Sequence, residues 1–368
     1  MEIRIPLDWP NLGPLEKEYV LRAIDTGYVS TAGPFVNKFE QSFVSYLGCK
    51  YAIAVANGTS GLHLALRILG IGPGDEVIVP ALTFIATVNP IIYVGATPVV
   101  VDVSPSTWTI DPKEVEAAIT PKTKAIIPVH VYGNPCDMRS INLIAARYHI
   151  YVIEDATEAL GSLYEGKYAG TLGDVGVFSF NGNKVITTGG GGMIITNKIE
   201  LADKAKLLVN QGRADTIREY EHAEIGYNYR LTNLQASLGL AQLERLGDFL
   251  LAKRDIVRIY KTQLGGQPGL RWQEETVNAQ SNWWLASILV DREQFGEDRD
   301  SIMGRLASRG IQTRLLFKPI PEQPCYRDFK LGHCNVANYL YSAGFNLPSA
   351  TFLMKQQIDE VCTAIMER

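Results

Sequence analysis

The chain has 368 residues, 46% of them hydrophobic and 20% charged, with a net charge of −4 at pH 7. That is a globular composition, long enough for two domains. No basic stripe argues for a nucleic-acid partner, and no apolar run reaches the length of a membrane-spanning helix. The first residues carry no basic stretch followed by an apolar core, so no signal peptide is expected and the expected compartment is the cytoplasm. The five cysteines (Cys49, Cys136, Cys325, Cys334 and Cys362) are scattered, odd in number and free of CxxC or zinc-like spacing. Buried thiols are expected, with neither disulfides nor a metal site.

Between residues 50 and 200, short β-branched runs alternate with helical patterns. Strands are expected at Tyr51–Ala56, Glu76–Pro80, Thr97–Val103, Ala125–His130, Tyr151–Glu154, Val175–Phe180 and Met193–Thr196. Several are almost continuously apolar, as in strands covered on both faces. Helical patterns such as Ser60–Leu69 and Met138–Tyr148 lie between them. The alternation predicts an α/β fold with a mostly parallel seven-stranded sheet. A long helix is expected from Asn233 through Arg245 to Leu264, stopped by Gly265-Gly266-Gln267-Pro268-Gly269. Beyond it, strands at Trp284–Asp291 and Gln312–Phe317 and helices at Arg299–Ser308 and Lys355–Met366 predict a small α+β domain. The expected division is a large domain over residues 1–250 and a small one over 251–368.

Chemistry-bearing residues recur at the ends of these strands. Asn57-Gly58-Thr59-Ser60 joins a strand to a helix and suits an anion at the helix N-terminus, although a plain N-cap gives the same pattern. Phe84 follows the strand ending at Pro80 and has the shape to stack on a flat ring, although such a residue is more often core. Asp155 and Glu158 stand at the end of a buried strand, where ligands of open α/β sheets bind. A buried Asp155 needs a cation or the cap of the next helix. Ser179 precedes Lys184 by five residues, and Gly189–Gly192 follow, leaving the backbone free to approach a bulky group. Desolvation there frees a lysine amine to form a Schiff base, although a glycine-rich turn after a strand with an incidental lysine gives the same pattern. Gly226–Asn233 is dense in hydrogen-bonding groups, and no G-x-G-x-x-G argues for a dinucleotide. In this order the residues supply a phosphate cradle, a stacking ring, an acid for a pyridine nitrogen and a Schiff-base lysine, which are the needs of pyridoxal 5′-phosphate.

With those residues in place, the chain resembles the DegT-type sugar aminotransferases, fold-type I pyridoxal phosphate enzymes that act on nucleotide-linked ketosugars. The resemblance covers nearly the whole chain. It rests on Gly27–Pro34, Asn57-Gly58-Thr59, Gly72–Pro80, Pro128–Gly133, Glu154-Asp155-Ala156, Ser179–Lys184 and Tyr227-Asn228-Tyr229-Arg230. It implies that Lys184 carries the cofactor, that Asp155 holds its ring nitrogen, and that Glu158 lies near its 3′-oxygen. By the same resemblance Phe84 stacks on the ring, Gly58, Thr59 and Ser179 bind its phosphate, and Asn228 reaches the phosphate of a neighbouring subunit in a homodimer. Tyr28, Ser30, Asn183, Arg230 and Lys318 would bind substrate. For Arg230 and Lys318, an ordinary structural ion pair is an equal reading.

The resemblance implies transfer of the amino group of L-glutamate to a ketosugar, with release of 2-oxoglutarate. Two departures stand out: Gly190 replaces the family's common glutamate, and Asn181 replaces an aromatic residue. Asn181-Gly182-Asn183-Lys184, Ser281–Leu285 and Thr313–Lys318 look like the branch that aminates C4 of UDP-linked 4-keto-6-deoxy-N-acetylglucosamine. The alternative is the perosamine type, acting on GDP-4-keto-6-deoxymannose. A sugar dehydratase of this fold would carry histidine in place of Lys184. A pyridoxal phosphate-binding regulator would lack the lysine.

Overall fold

The computed structural model describes residues 3–213, 221–326, 329, 332 and 334–367. Its larger sheet contains β1 (Tyr51–Val55), β2 (Glu76–Pro80), β3 (Thr97–Val101), β4 (Thr123–Ile126), β5 (Tyr151–Asp155), β6 (Val175–Ser179) and β7 (Gly192–Thr196). The strand order is β1-β7-β6-β5-β4-β2-β3. Only β7 runs against its neighbours, so the expected mostly parallel seven-stranded sheet is present. The alternation of side chains sorts residues to two cores. Val77 and Val79 join the main core, while Ile78 between them joins a second one packed under the helix Met138–Tyr148. Because β2, β5 and β6 are parallel, Pro80, Asp155 and Ser179 end at one edge of the sheet, where open α/β sheets bind ligands.

Strand ends differ from the sequence expectation by a few residues. The chain leaves β4 at Ile126, and Val129 then makes a single bridge to Asp155. The long helix expected from Asn233 to Leu264 is two helices, Asn233–Glu244 and Leu246–Leu264, separated at Arg245 (φ −97°, ψ 0°). At the break, the Arg245 guanidinium donates to Glu16 Oε1 (2.6 Å) and to the Asn11 carbonyl (3.1 Å). This ties the helix Pro14–Asp25, which the sequence reading missed, to the break between the two helices.

A second sheet is formed by β8 (Leu270–Trp272), β9 (Ala286–Val290), β10 (Arg314–Leu315) and β11 (Gly344–Leu347), in the order β8-β9-β11-β10 and wholly antiparallel. The expected strand Gln312–Phe317 is only two residues long, because the Phe317 N–H turns away to donate to Tyr132 Oη at 2.7 Å. Tyr260, Ile288, Phe295 and Phe345 belong to a separate core around this sheet.

A buried ion pair joins the N-terminal segment to the second half of the chain. Lys253 donates to Asp8 Oδ2 (3.0 Å) and to the carbonyl of Trp284 (2.9 Å). The two side chains are 1% and 5% exposed. Burial raises the Asp8 carboxyl to about 6 and lowers the Lys253 ammonium from its usual range. Removing one partner strands the other charge, at a typical cost of about 3–5 kcal/mol. Lys253→Met is expected to lose that much in urea unfolding at neutral pH. The double variant Asp8→Leu/Lys253→Met is expected to recover most of it. A loss below about 1 kcal/mol in the single variant would mean the pair is not buried as described.

Candidate active site

The first wall of the site is the N-terminus of the helix Gly58–Ile68. Asn57 caps it, its Oδ1 accepting from the Ser60 amide at 2.8 Å. The amides of Gly58 and Thr59 have no intrahelical acceptor and, with the helix dipole, favour an anion. A Cβ on Gly58 would lie 3.0 Å from Ser179 Cβ, so glycine is what lets the end of β6 close on this helix. Gly192 has a related task. A Cβ there would come within 2.9 Å of the Gly58 amide nitrogen, so this last glycine of the run serves packing, while Gly190 and Gly191 face the cavity.

Asp155 ends β5, and the residue is 3% exposed. Oδ2 accepts from Thr87 Oγ1 at 2.7 Å and Oδ1 from the Thr157 amide at 3.2 Å. Among the described residues no cation forms an ion pair with it. A buried carboxylate served only by neutral donors is the partner that a protonated ring nitrogen requires. The helix-cap alternative accounts for Oδ1 alone.

Lys184 enters the same cavity with its side chain 13% exposed. Its Nζ lies 3.6 Å from Glu158 Oε1 and 4.0 Å from the centroid of the Trp284 ring. Trp284 is fixed on two sides: its Nε1–H donates to the Asn183 carbonyl (2.6 Å) and its own carbonyl accepts from Lys253. Glu158 Oε2 accepts from the Tyr132 amide at 2.7 Å. Burial outweighs both the Lys184 charge and that hydrogen bond, and raises the Glu158 carboxyl to about 7. Tyr132 holds a left-handed backbone (φ 56°), a costly conformation for a tyrosine, and its ring stacks on Phe317 at 5.1 Å.

The expected phosphate ligands Gly58, Thr59 and Ser179 line one cavity of about 280 Å³, as do Phe84, Asp155 and Glu158. Asn183 and Lys184 line it as well. Phe84 is 56% exposed, with its ring 5.8 Å from that of Phe317, and is not a core residue. The other expected residues do not line the cavity of this chain. The carbonyls of Tyr28 and Ser30 accept from Asn233, at 2.6 Å each. Arg230 donates to the Thr31 carbonyl, and Asn228 is exposed, paired through its backbone with Asn210. The Lys318 carbonyl accepts from Gln323 (3.2 Å). Neither Arg230 nor Lys318 forms an ion pair among the described residues, so the structural-pair reading of these two is not met. Sequence reading missed Thr87, Trp284 and Arg314 as cavity residues. The doubled Trp283-Trp284, interrupting a polar run, was the available signal.

The residues fit pyridoxal phosphate: a capped helix end with spare amides, a buried acid without a cation, an exposed ring and a lysine meet in one cavity. The model of the DegT/DnrJ/EryC1/StrS aminotransferase family matches residues 10–366. GDP-perosamine synthase of Escherichia coli O157:H7 is 45% identical over 363 residues, covering 99% of this chain and 98% of the relative. GDP-perosamine synthase of Caulobacter vibrioides is 45% identical over 364 residues, covering 98% and 97%. The solved aminotransferase from Psychrobacter cryohalolentis superposes with a TM-score of 0.92 at 30% identity, covering 98% of each chain. The chain belongs to the DegT/DnrJ/EryC1/StrS aminotransferase family, and it is an enzyme.

Glu158 gives a pH signature. Its folded value, about 7, lies above the usual 4.5, so proton binding favours the fold. The contribution is full below pH 4.5 and is lost as pH rises through 7; at about 1.4 kcal/mol per unit its upper size is about 3 kcal/mol. Glu158→Gln is expected to flatten the stability of the cofactor-free protein between pH 5 and 8, measured by urea unfolding. An unchanged slope would contradict the buried placement of Glu158.

Proposed function

We propose that this aminotransferase moves the amino group of L-glutamate to C4 of a GDP-linked 4-keto-6-deoxysugar, GDP-4-keto-6-deoxymannose being the first choice. The carrying observation is Lys184, aimed into the cavity that Asp155 and the Gly58–Thr59 helix end also line. The relatives at 45% identity support the GDP sugar over the UDP-linked N-acetyl sugar that the sequence motifs favoured. Two of those motifs, Asn181–Lys184 and Ser281–Leu285, contribute Lys184 and Trp284 to the cavity beside the reacting amine. Residues at that position report on the cofactor and the ketosugar, and not on the nucleotide base.

Pyridoxal phosphate, when bound, supplies the electron sink for the bond broken at the donor's Cα. Gly58, Thr59 and Ser179 would hold its phosphate, Phe84 would cover its ring, and Asp155 would keep a proton on the ring nitrogen. Lys184 Nζ takes the proton from the donor's Cα and delivers it on the other side of the transfer, acting as base and then acid. Glu158, fixed by the Tyr132 amide, orients Lys184 between those roles. The Trp284 indole closes the cavity behind the amine and excludes water from it.

The same reading assigns Tyr28, Ser30, Asn228 and Arg230 to the neighbouring subunit's site in a homodimer. It rests on their lying outside this chain's own cavity, with Tyr28 and Ser30 held by Asn233, Arg230 by Thr31 and Asn228 by Asn210. Lys318 and Asn183 are assigned to the sugar nucleotide.

Lys184→Ala is expected to lower turnover by roughly a thousandfold or more with the fold intact. Asn228→Ala is expected to be nearly inactive alone. Mixed with Lys184→Ala subunits after brief unfolding and refolding together, it should regain activity, because hybrid dimers carry one complete site. Absence of recovery in verified hybrids would contradict the shared site.

A further inference from the structure

The segment Ser281–Trp284, which leads into β9, is more tightly built than a connector needs. Ser281 Oγ accepts from the Trp283 amide (2.9 Å), and Asn282 Oδ1 accepts from the Trp284 amide (2.8 Å). The buried Asn282 side chain also donates to the carbonyls of Glu158 (3.0 Å) and Leu160 (2.9 Å). Trp283 holds a left-handed backbone (φ 52°), a conformation that a bulky residue keeps only where its surroundings impose it. What this strained segment delivers is the indole of Trp284, 2% exposed and lining the cavity.

Hydrogen bonds fix that ring relative to Lys184. Its Nε1–H donates to the carbonyl of Asn183, so the indole is tied to the residue before the lysine. Its amide is tied through Asn282 to the backbone of Glu158, the acid that faces Lys184 at 3.6 Å. Lys184 Nζ then lies 4.0 Å from the ring centroid. That is well within the roughly 6 Å over which an aromatic face attracts an ammonium. A wall that only filled space would need an apolar residue of this volume, and would not need Nζ over its centre. Glu158, the other neighbour of Nζ, is not a constant anion. Burial raises its carboxyl to about 7, so near neutral pH only part of the molecules carry that charge. The negative face of an indole does not titrate.

We propose that the face of Trp284 holds Lys184 as an ammonium whenever the lysine is not bonded to the cofactor, which makes Trp284 a catalytic residue. In the proton transfer the donor's Cα–H bond breaks, an N–H bond forms on Nζ, and the electron pair passes to the sink described above. Positive charge thus develops on Nζ, where a preplaced aromatic face stabilises it. The inference rests on the transaminase reading above and adds a charge-holding ring to its proton transfer.

The test places mono-, di- and trifluorinated tryptophan at position 284 of the full chain. Fluorine drains negative charge from the ring face with little change of shape, so packing and folding are kept. In the cofactor-free protein the urea midpoint should fall stepwise with fluorination. It should stay flat when the same series is made in Lys184→Met. In the protein loaded with pyridoxal phosphate, the first half-reaction with L-glutamate is followed at the visible band. It should slow stepwise, by roughly tenfold or more over the series, with KM for L-glutamate within about twofold of wild type. A flat series in both measurements would overturn the proposal and leave Trp284 as a wall. A falling urea midpoint that persists in Lys184→Met would also overturn it, tracing the effect to packing. A falling midpoint with an unchanged rate would overturn the part in proton transfer. A rise in KM for the nucleotide ketosugar alone would make the ring a sugar contact instead. A wild-type protein whose visible band ignores L-glutamate would sink the transaminase reading itself, an outcome distinct from the unfolding series, which needs no substrate.

Discussion

Asp155 sits at the carboxyl edge of a mostly parallel sheet, almost wholly out of water, and among the described residues accepts hydrogen bonds only from Thr87 and from a backbone amide. Burying an ionised carboxylate without a cation is expensive. The arrangement becomes favourable once a positively charged ligand group arrives. The rest of the site is arranged around that requirement: a helix end for an anion on one side, and a lysine and a carboxyl on the other. The charges in the cavity are apportioned by geometry, Asp155 being left for the cofactor while Lys184 and Glu158 face each other at 3.6 Å.

The position of Lys184 depends on groups far from it in the chain. Trp284 supports the amine, Asn183 fixes the Trp284 indole, and Lys253 fixes its backbone while neutralising Asp8. The N-terminal segment, a long helix and the first residues before β9 thus converge behind one nitrogen. Two residues with left-handed backbones, Tyr132 and Trp283, adjoin this convergence. The strain they store is held by the stacking of Tyr132 on Phe317 and by the burial of Trp283 in the core of the second sheet.

Much of this was legible from residue order. The apolar runs of the sheet are locally decisive, since Val77, Ile78 and Val79 allow little but a strand buried on both faces. Residues that act at strand ends (Gly58, Asp155, Ser179 and Lys184) carry their signal in short segments and were found. What was missed depends on contacts distant in sequence. The break at Arg245 has no proline beside it, because Glu16 and Asn11 hold the arginine there. Strand Gly344–Leu347 follows directly on a helix with no turn signal. Arg314 and Trp284 enter the cavity only because the second sheet docks against the first. The relatives favour the GDP alternative over the UDP branch that the motifs suggested, and motifs beside the reacting amine do not report on the base.

The central claim is that Lys184 is the amine that bonds the cofactor. The direct measurement is to load the protein with pyridoxal phosphate, reduce it with borohydride, digest it and locate the added phosphopyridoxyl group by mass spectrometry. The account predicts the label on the peptide containing Lys184 and none on Lys253 or Lys318. A label on another lysine, or a protein that takes up none, would contradict it.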